Sequence, residues 1–169
     1  MRTDPPASGS EPTPLTTFPD HQRETVLLET GSPDVLRLAT PPAPSALTLG
    51  GLLNHVAWVE DTWFPVRFLG LPRDEVWADL DLAADPDAEF TTAVHVAPDE
   101  LRARYRRACE RSREVVARTP DLGTTSVLPM PDGRHVDLRR ALGDRIEETA
   151  RHAGHADLIR EALDRTAGE

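Results

Sequence analysis

Apolar residues recur at helical spacing in three long stretches of the chain. The first runs through Leu49, Leu52, Val56, Val59 and Trp63, on one face of a helix that should kink or end near Pro65. The second, through Leu101, Tyr105, Ala108, Ser112 and Val115, opens at Pro98 with Asp99 and Glu100 behind it. Proline fits the first turn of a helix, and acids there favour the positive end of its dipole. The third spans Asp137 to Leu163, with Leu138, Leu142, Ile146, Thr149, Ala153, Ala156 and Leu163 on one arc.

A further helix is expected from Phe18 to Gly31, where glycine can stop it. Pro33 and Asp34 suggest a short helical restart through Leu38. The segment TPPAPSA, Thr40 to Ala46, is a rigid linker that cannot be helical. Residues 70–97 read as a long irregular connection, and MPDGRHV, around Asp132 and Gly133, as a small hairpin. The sum is an all-α, four-helix bundle over residues 18–169, preceded by a disordered tail over residues 1–17 that is rich in Pro, Ser and Thr.

Composition narrows the function. A formal net charge of −10 argues against nucleic acid and anionic membranes as partners. The single cysteine, Cys109, excludes an internal disulfide and fits a reducing, cytoplasmic setting. It lies beside the buried stripe of its helix, so it reads as a small apolar residue rather than a nucleophile. No apolar run approaches the ~20 residues of a membrane span, and the N-terminus lacks the charged-then-apolar pattern of a secretory signal.

The chemistry concentrates in ETARHAGHAD on the last helix. Glu148 and His152 are one turn apart on the flank of the apolar arc, with His155 and Asp144 on the same side, whereas Glu147 points to solvent. A carboxylate and a neutral imidazole at this spacing can close on one divalent cation, zinc or alternatively nickel, iron or manganese. Such a pair is equally the ordinary solvated flank of a helix unless a third ligand arrives from elsewhere. His55, in GGLLNHVAWVEDTW, is a candidate if its helix packs beside the last one; otherwise it is a partly buried histidine bonded to a backbone carbonyl. His21, His95 and His135 fall on or near loops or helix ends and read as surface residues. Arg139 and Arg151 flank the region and could hold a carboxylate of a thiol or substrate, or simply be solvated.

The pairing of LTLGGLLNHVAWVEDTWF with LRRALGDRIEETARHAGHADLIRE resembles the DinB-like superfamily in its DUF664 branch. Four-helix proteins of this superfamily include mycothiol-dependent maleylpyruvate isomerase and bacillithiol S-transferases. The resemblance covers about residues 18 to 165. It implies a metal held by His55, Glu148 and His152, and leaves His155 outside that set, as a substrate contact or a group supporting a ligand; Asp144, one turn before Glu148, could orient a ligand or stand in for a lost one. It departs from related sequences at Asp144, near where they often have histidine, and at Arg140, where they have Trp. The implied activity is a metal-dependent transferase that activates a low-molecular-weight thiol cosubstrate, mycothiol-like, for attack on an electrophilic small molecule. Family members commonly form homodimers. The same triad would serve a hydrolase using metal-bound water, and a non-catalytic metal-binding or stress-response module is the reading from another class.

Overall fold

The computed structural model describes residues 3–31, 34 and 38–166, the side chains of 165 and 166 excepted. Helix α1 (Pro12–Glu29) begins six residues before Phe18, so Pro12 to Thr17 belong to the bundle and not to the expected tail. Proline at the first turn is compatible with helix initiation. The hydroxyls of Thr16 and Thr17 then bond back to the carbonyls of Pro12 and Thr13, at 2.9 and 2.8 Å. The short helix expected between Pro33 and Leu38 falls largely outside the described residues, and the segment from Thr40 to Ala46 is non-helical.

Helix α2 (Leu49–Asp61) is capped by Thr48, whose Oγ1 accepts from the Gly51 N–H at 2.9 Å. It is buried on nearly every side, and the two expected core positions Val59 and Trp63 are only half-buried. Pro65 carries no N–H for the carbonyl of Asp61, yet the helix does not stop there. It widens into a π-helical turn, Thr62–Phe68, with the Leu69 N–H reaching the Phe64 carbonyl at 3.3 Å. Gly70, at φ +68°, ends it.

The connection from 70 to 97 is more ordered than its composition implies. It contains a 3₁₀ turn at Glu75–Trp77, the short helix α3 (Ala88–Thr91) and a second 3₁₀ turn at Thr92–His95. Trp77, Ala88 and Ala93 from this stretch are buried core residues. Helix α4 (Pro98–Arg118) buries Leu101, Tyr105, Ala108, Cys109, Ser112 and Val115, which is its predicted face. The turn after Met130 closes through the Met130 N–H to the Arg134 carbonyl, 2.8 Å, with Gly133 at φ +82°. Its arms are joined further by the Ser126 N–H to the Val136 carbonyl at 2.8 Å and by an isolated bridge between Thr125 and Asp137, and no strand forms among the described residues. Asp137 then caps helix α5 (Leu138–Thr166), accepting from the Arg140 N–H at 2.8 Å.

The four long helices form the bundle, with α1 along α5, α2 along α4, and α2 also against α5. Leu53, Val56, Ala57, Leu101, Tyr105 and Ala153 meet in its centre. A buried ion pair crosses this core. Arg23 Nε and Nη2 donate to both carboxylate oxygens of Glu60, at 2.8 and 2.7 Å, and Arg23 Nη1 to Asp20 at 2.8 Å. No helix among the described residues is long and apolar enough to cross a membrane.

Candidate metal centre

The packing of α2 against α5 brings His55 to the pair on the last helix. His55 Nε2 lies 3.4 Å and His152 Nε2 lies 3.2 Å from the same oxygen, Glu148 Oε1. One ligand atom from each of the three residues lies within 4.8 Å of the others. The rings of His55 and His152 are 4.7 Å apart and edge-on, so both nitrogens aim at a common point instead of stacking side by side.

The α2 side of this centre is built by GGLLNH. Gly51, Asn54 and His55 share the surface that receives α3. Asn54 Nδ2 donates to the Glu89 carbonyl at 2.8 Å. A Cβ on Gly51 would stand 3.1 Å from the Phe90 carbonyl oxygen and 2.9 Å from Thr48 Oγ1, so only glycine lets the α3 backbone approach this closely. The Phe90 ring then stacks on His55 with centroids 4.1 Å apart and 13° between planes. Glu89 Oε1 stands 3.5 Å from His55 Nδ1, outside hydrogen-bonding geometry.

Electrostatics keep the imidazoles neutral. Burial, followed by the repulsion a second proton would meet from His152, pushes the His55 pKa down to about 4, against the pull of Glu148. Burial also lowers that of His152. Burial alone would raise Glu148, but His152, His55 and the Arg145 guanidinium close by together hold its carboxyl below the usual range. A neutral imidazole offers a lone pair and an ionised carboxylate offers charge, which is the donor set of a divalent cation. Both Nδ1 atoms, of His55 and His152, are buried without partners, as is Glu89 Oε2. Three inward donor atoms with this much unsatisfied polarity around them fit a metal ion better than an apolar helix contact.

The other expected residues separate into two groups. His155 is adjacent, its ring 5.4 Å from that of His152 and its Nδ1 buried without a partner. Arg151 binds Glu147 and comes within 3.8 Å of Glu148 Oε2, so it borders the centre. Asp144 instead pairs with Arg140 at 2.7 Å beside the 130–137 turn, and Arg139 pairs with Glu11 at 2.7 Å; neither side chain is brought to the triad. Glu147 faces solvent, as its phase requires. Of the three histidines expected at the surface, His95 and His135 are exposed, whereas His21 is half-buried with Nδ1 3.1 Å from the Thr3 carbonyl.

Three residues near the centre escaped the sequence pattern. Glu89 and Phe90 come from the aperiodic connection. Arg145, 5% exposed, lies one turn before Glu148 with its guanidinium 4.5 Å from the Trp63 ring. The signal that could have found Arg145 is its phase, since it shares a face with Leu138, Leu142 and Thr149. Cys109 is buried, and burial raises its thiol pKa far from nucleophilic range.

A family model described as mycothiol S-transferase matches residues 14–165. No curated protein and no solved structure matches the chain.

Proposed function

The chain belongs to the mycothiol S-transferase family, and on that premise we propose that it transfers a low-molecular-weight thiol of the mycothiol type onto an electrophilic small molecule, with a divalent metal, zinc foremost, held by His55, Glu148 and His152. The observation that carries the metal dependence is the convergence of two imidazole nitrogens, one from each of two helices, on one carboxylate oxygen, with His55 93 residues from Glu148. A cation held by these three residues would supply Lewis acidity that favours the thiolate form of a bound thiol.

The chain's own residues do the rest. His55 and His152, kept neutral by burial, present Nε2 lone pairs at neutral pH. Glu148 is held ionised between them and Arg145. His155, whose ring packs edge-on against that of His152, is the residue we assign to contact the incoming thiol. Arg151 at the rim, already 3.8 Å from Glu148, is positioned to meet an anionic group of either substrate. The thiol sulfur forms the new bond to the electrophilic carbon, the leaving group departs with its electron pair, and the thiol proton passes to solvent.

Elemental analysis of wild type beside Glu148→Ala, with thiol consumption measured against 1-chloro-2,4-dinitrobenzene, tests this reading. Near-stoichiometric metal in wild type, lost in the mutant together with thiol-dependent turnover, is the expected result. Full metal content in Glu148→Ala would remove the ligand assignment. Turnover of an ester panel without thiol would favour the hydrolase, and metal binding with no turnover at all would favour the non-catalytic module.

A further inference from the structure

Glu89 is placed where a carboxylate is costly. Its side chain is 14% exposed and its Oε2 is buried without a partner. Apart from its own backbone N–H, the donor that approaches it is His55 Nδ1, 3.5 Å from Oε1. The backbone beneath it is held firmly, by Asn54 Nδ2 at the Glu89 carbonyl and by the close approach that Gly51 allows at Phe90. A carboxylate carried on a fixed backbone into a dry position beside an imidazole is the arrangement by which a histidine ligand is oriented.

Two degrees of freedom of the His55 ring need control. Its plane is set by the Phe90 stack, but a half-turn about Cβ–Cγ preserves that plane and exchanges the two edges. Its proton can sit on either nitrogen. Glu148 competes for that proton, since it faces Nε2 at 3.4 Å. If the proton sat on Nε2, that nitrogen would have no lone pair to offer and Nδ1 would face the Glu89 carboxylate with its own lone pair. We infer that Glu89 is a positioning residue: its carboxylate accepts the Nδ1–H of His55, selecting the tautomer and ring orientation that turn the Nε2 lone pair toward Glu148 and His152. The closing of a 3.5 Å separation to a hydrogen bond requires only a few tenths of an ångström.

For the metal-binding part, this inference rests on the triad reading proposed above; for the tautomer it does not. The test uses the full chain as wild type, Glu89→Ala, Glu89→Gln and Asp87→Asn, with folding checked by circular dichroism. Alanine removes the acceptor, glutamine keeps an acceptor without the charge, and Asp87 is an exposed carboxylate two residues away that controls for general charge loss. In metal-free protein, ¹⁵N chemical shifts of the imidazoles should show a smaller Nδ1–H fraction for His55 in Glu89→Ala than in wild type. In zinc titrations against a chromophoric chelator, Glu89→Ala should bind about 10- to 100-fold more weakly, Glu89→Gln in between, and Asp87→Asn like wild type. An unchanged His55 tautomer population in Glu89→Ala overturns the inference whatever the zinc result. Unchanged zinc affinity in Glu89→Ala, where wild type binds zinc, overturns it as well. If wild type takes up no zinc, the triad reading falls, and the tautomer comparison still decides the role of Glu89.

Discussion

Lowering the pH from 7 to 5 in the presence of a chelator should cost the protein about 2 kcal/mol through His55 alone. In the unfolded chain this imidazole takes up a proton near pH 6.5, whereas in the folded protein it resists until about pH 4. The unfolded state therefore binds more protons across that window. The stability is fully present above the unfolded pKa and falls as the pH drops through it, at about 1.4 kcal/mol per pH unit where the difference is one proton. Integrated from pH 7 to 5, with the folded group still neutral, the loss is about 2 kcal/mol. His152 is shifted in the same direction and adds to it. The assay is urea unfolding at pH 7, 6 and 5, comparing wild type with His55→Phe. Phenylalanine keeps the stack on Phe90 and cannot titrate. The wild-type free energy should fall more steeply than the mutant's by about 2 kcal/mol over the range. Parallel profiles, within about 0.5 kcal/mol, would refute the reasoning. They would mean that folded His55 accepts a proton as readily as the unfolded chain does, stabilised as an imidazolium between Glu148 and Glu89.

Glu60→Gln should destabilise the fold by about 3 kcal/mol in urea unfolding, because it removes the buried bidentate carboxylate and leaves the Arg23 charge to half-exposed Asp20 alone. The double variant Arg23→Met/Glu60→Leu should lose much less, and equal losses would show that the pair's charge is not what matters. Gly51→Ala should cost about 1–3 kcal/mol through the clash with Phe90 and Thr48. Gly143→Ala, whose Cβ would meet nothing within 4 Å in mid-helix, should instead stabilise by up to about 1 kcal/mol. Glu147→Gln should leave metal content unchanged; a loss there would contradict the solvent-facing position of Glu147.

Where local chemistry decides structure, the residues alone were enough. Pro98 with Asp99 and Glu100 starts α4 where helix-dipole arguments place it, and its buried face follows the spacing of Leu101, Tyr105, Ala108, Ser112 and Val115. Helical phase separated Glu148 from Glu147 for the same reason, since 100° per residue turns one inward and the other out. His55 was legible as a candidate only, because its approach to Glu148 depends on how two distant helices pack. Glu89 and Phe90 were not legible. The stretch that carries them has no period, and what orders it lies elsewhere, in Asn54 and Gly51 of α2. The start of α1 was misjudged because a proline- and threonine-rich composition suggests a solvated tail. Pro12 in the first turn and the hydroxyl bonds of Thr16 and Thr17 are what such a composition can also do. Arg139 and Asp144 share the helix of the triad but pair locally with Glu11 and Arg140, so proximity in sequence overstated their part.

Asn54 and Gly51 engage the backbone of α3, at the carbonyls of Glu89 and Phe90, and not its side chains. The dock therefore reads the path of the chain and is indifferent to most of what precedes it. Residues 81–87 contribute no buried side chain, and doubling the length of a flexible surface loop costs only about 0.6 kcal/mol of closure entropy. The stretch leading into α3 can thus be lengthened or recomposed between Leu80 and Ala88 while the anchor holds. For a protein engineer, that stretch is the natural place to graft new recognition next to an unchanged triad.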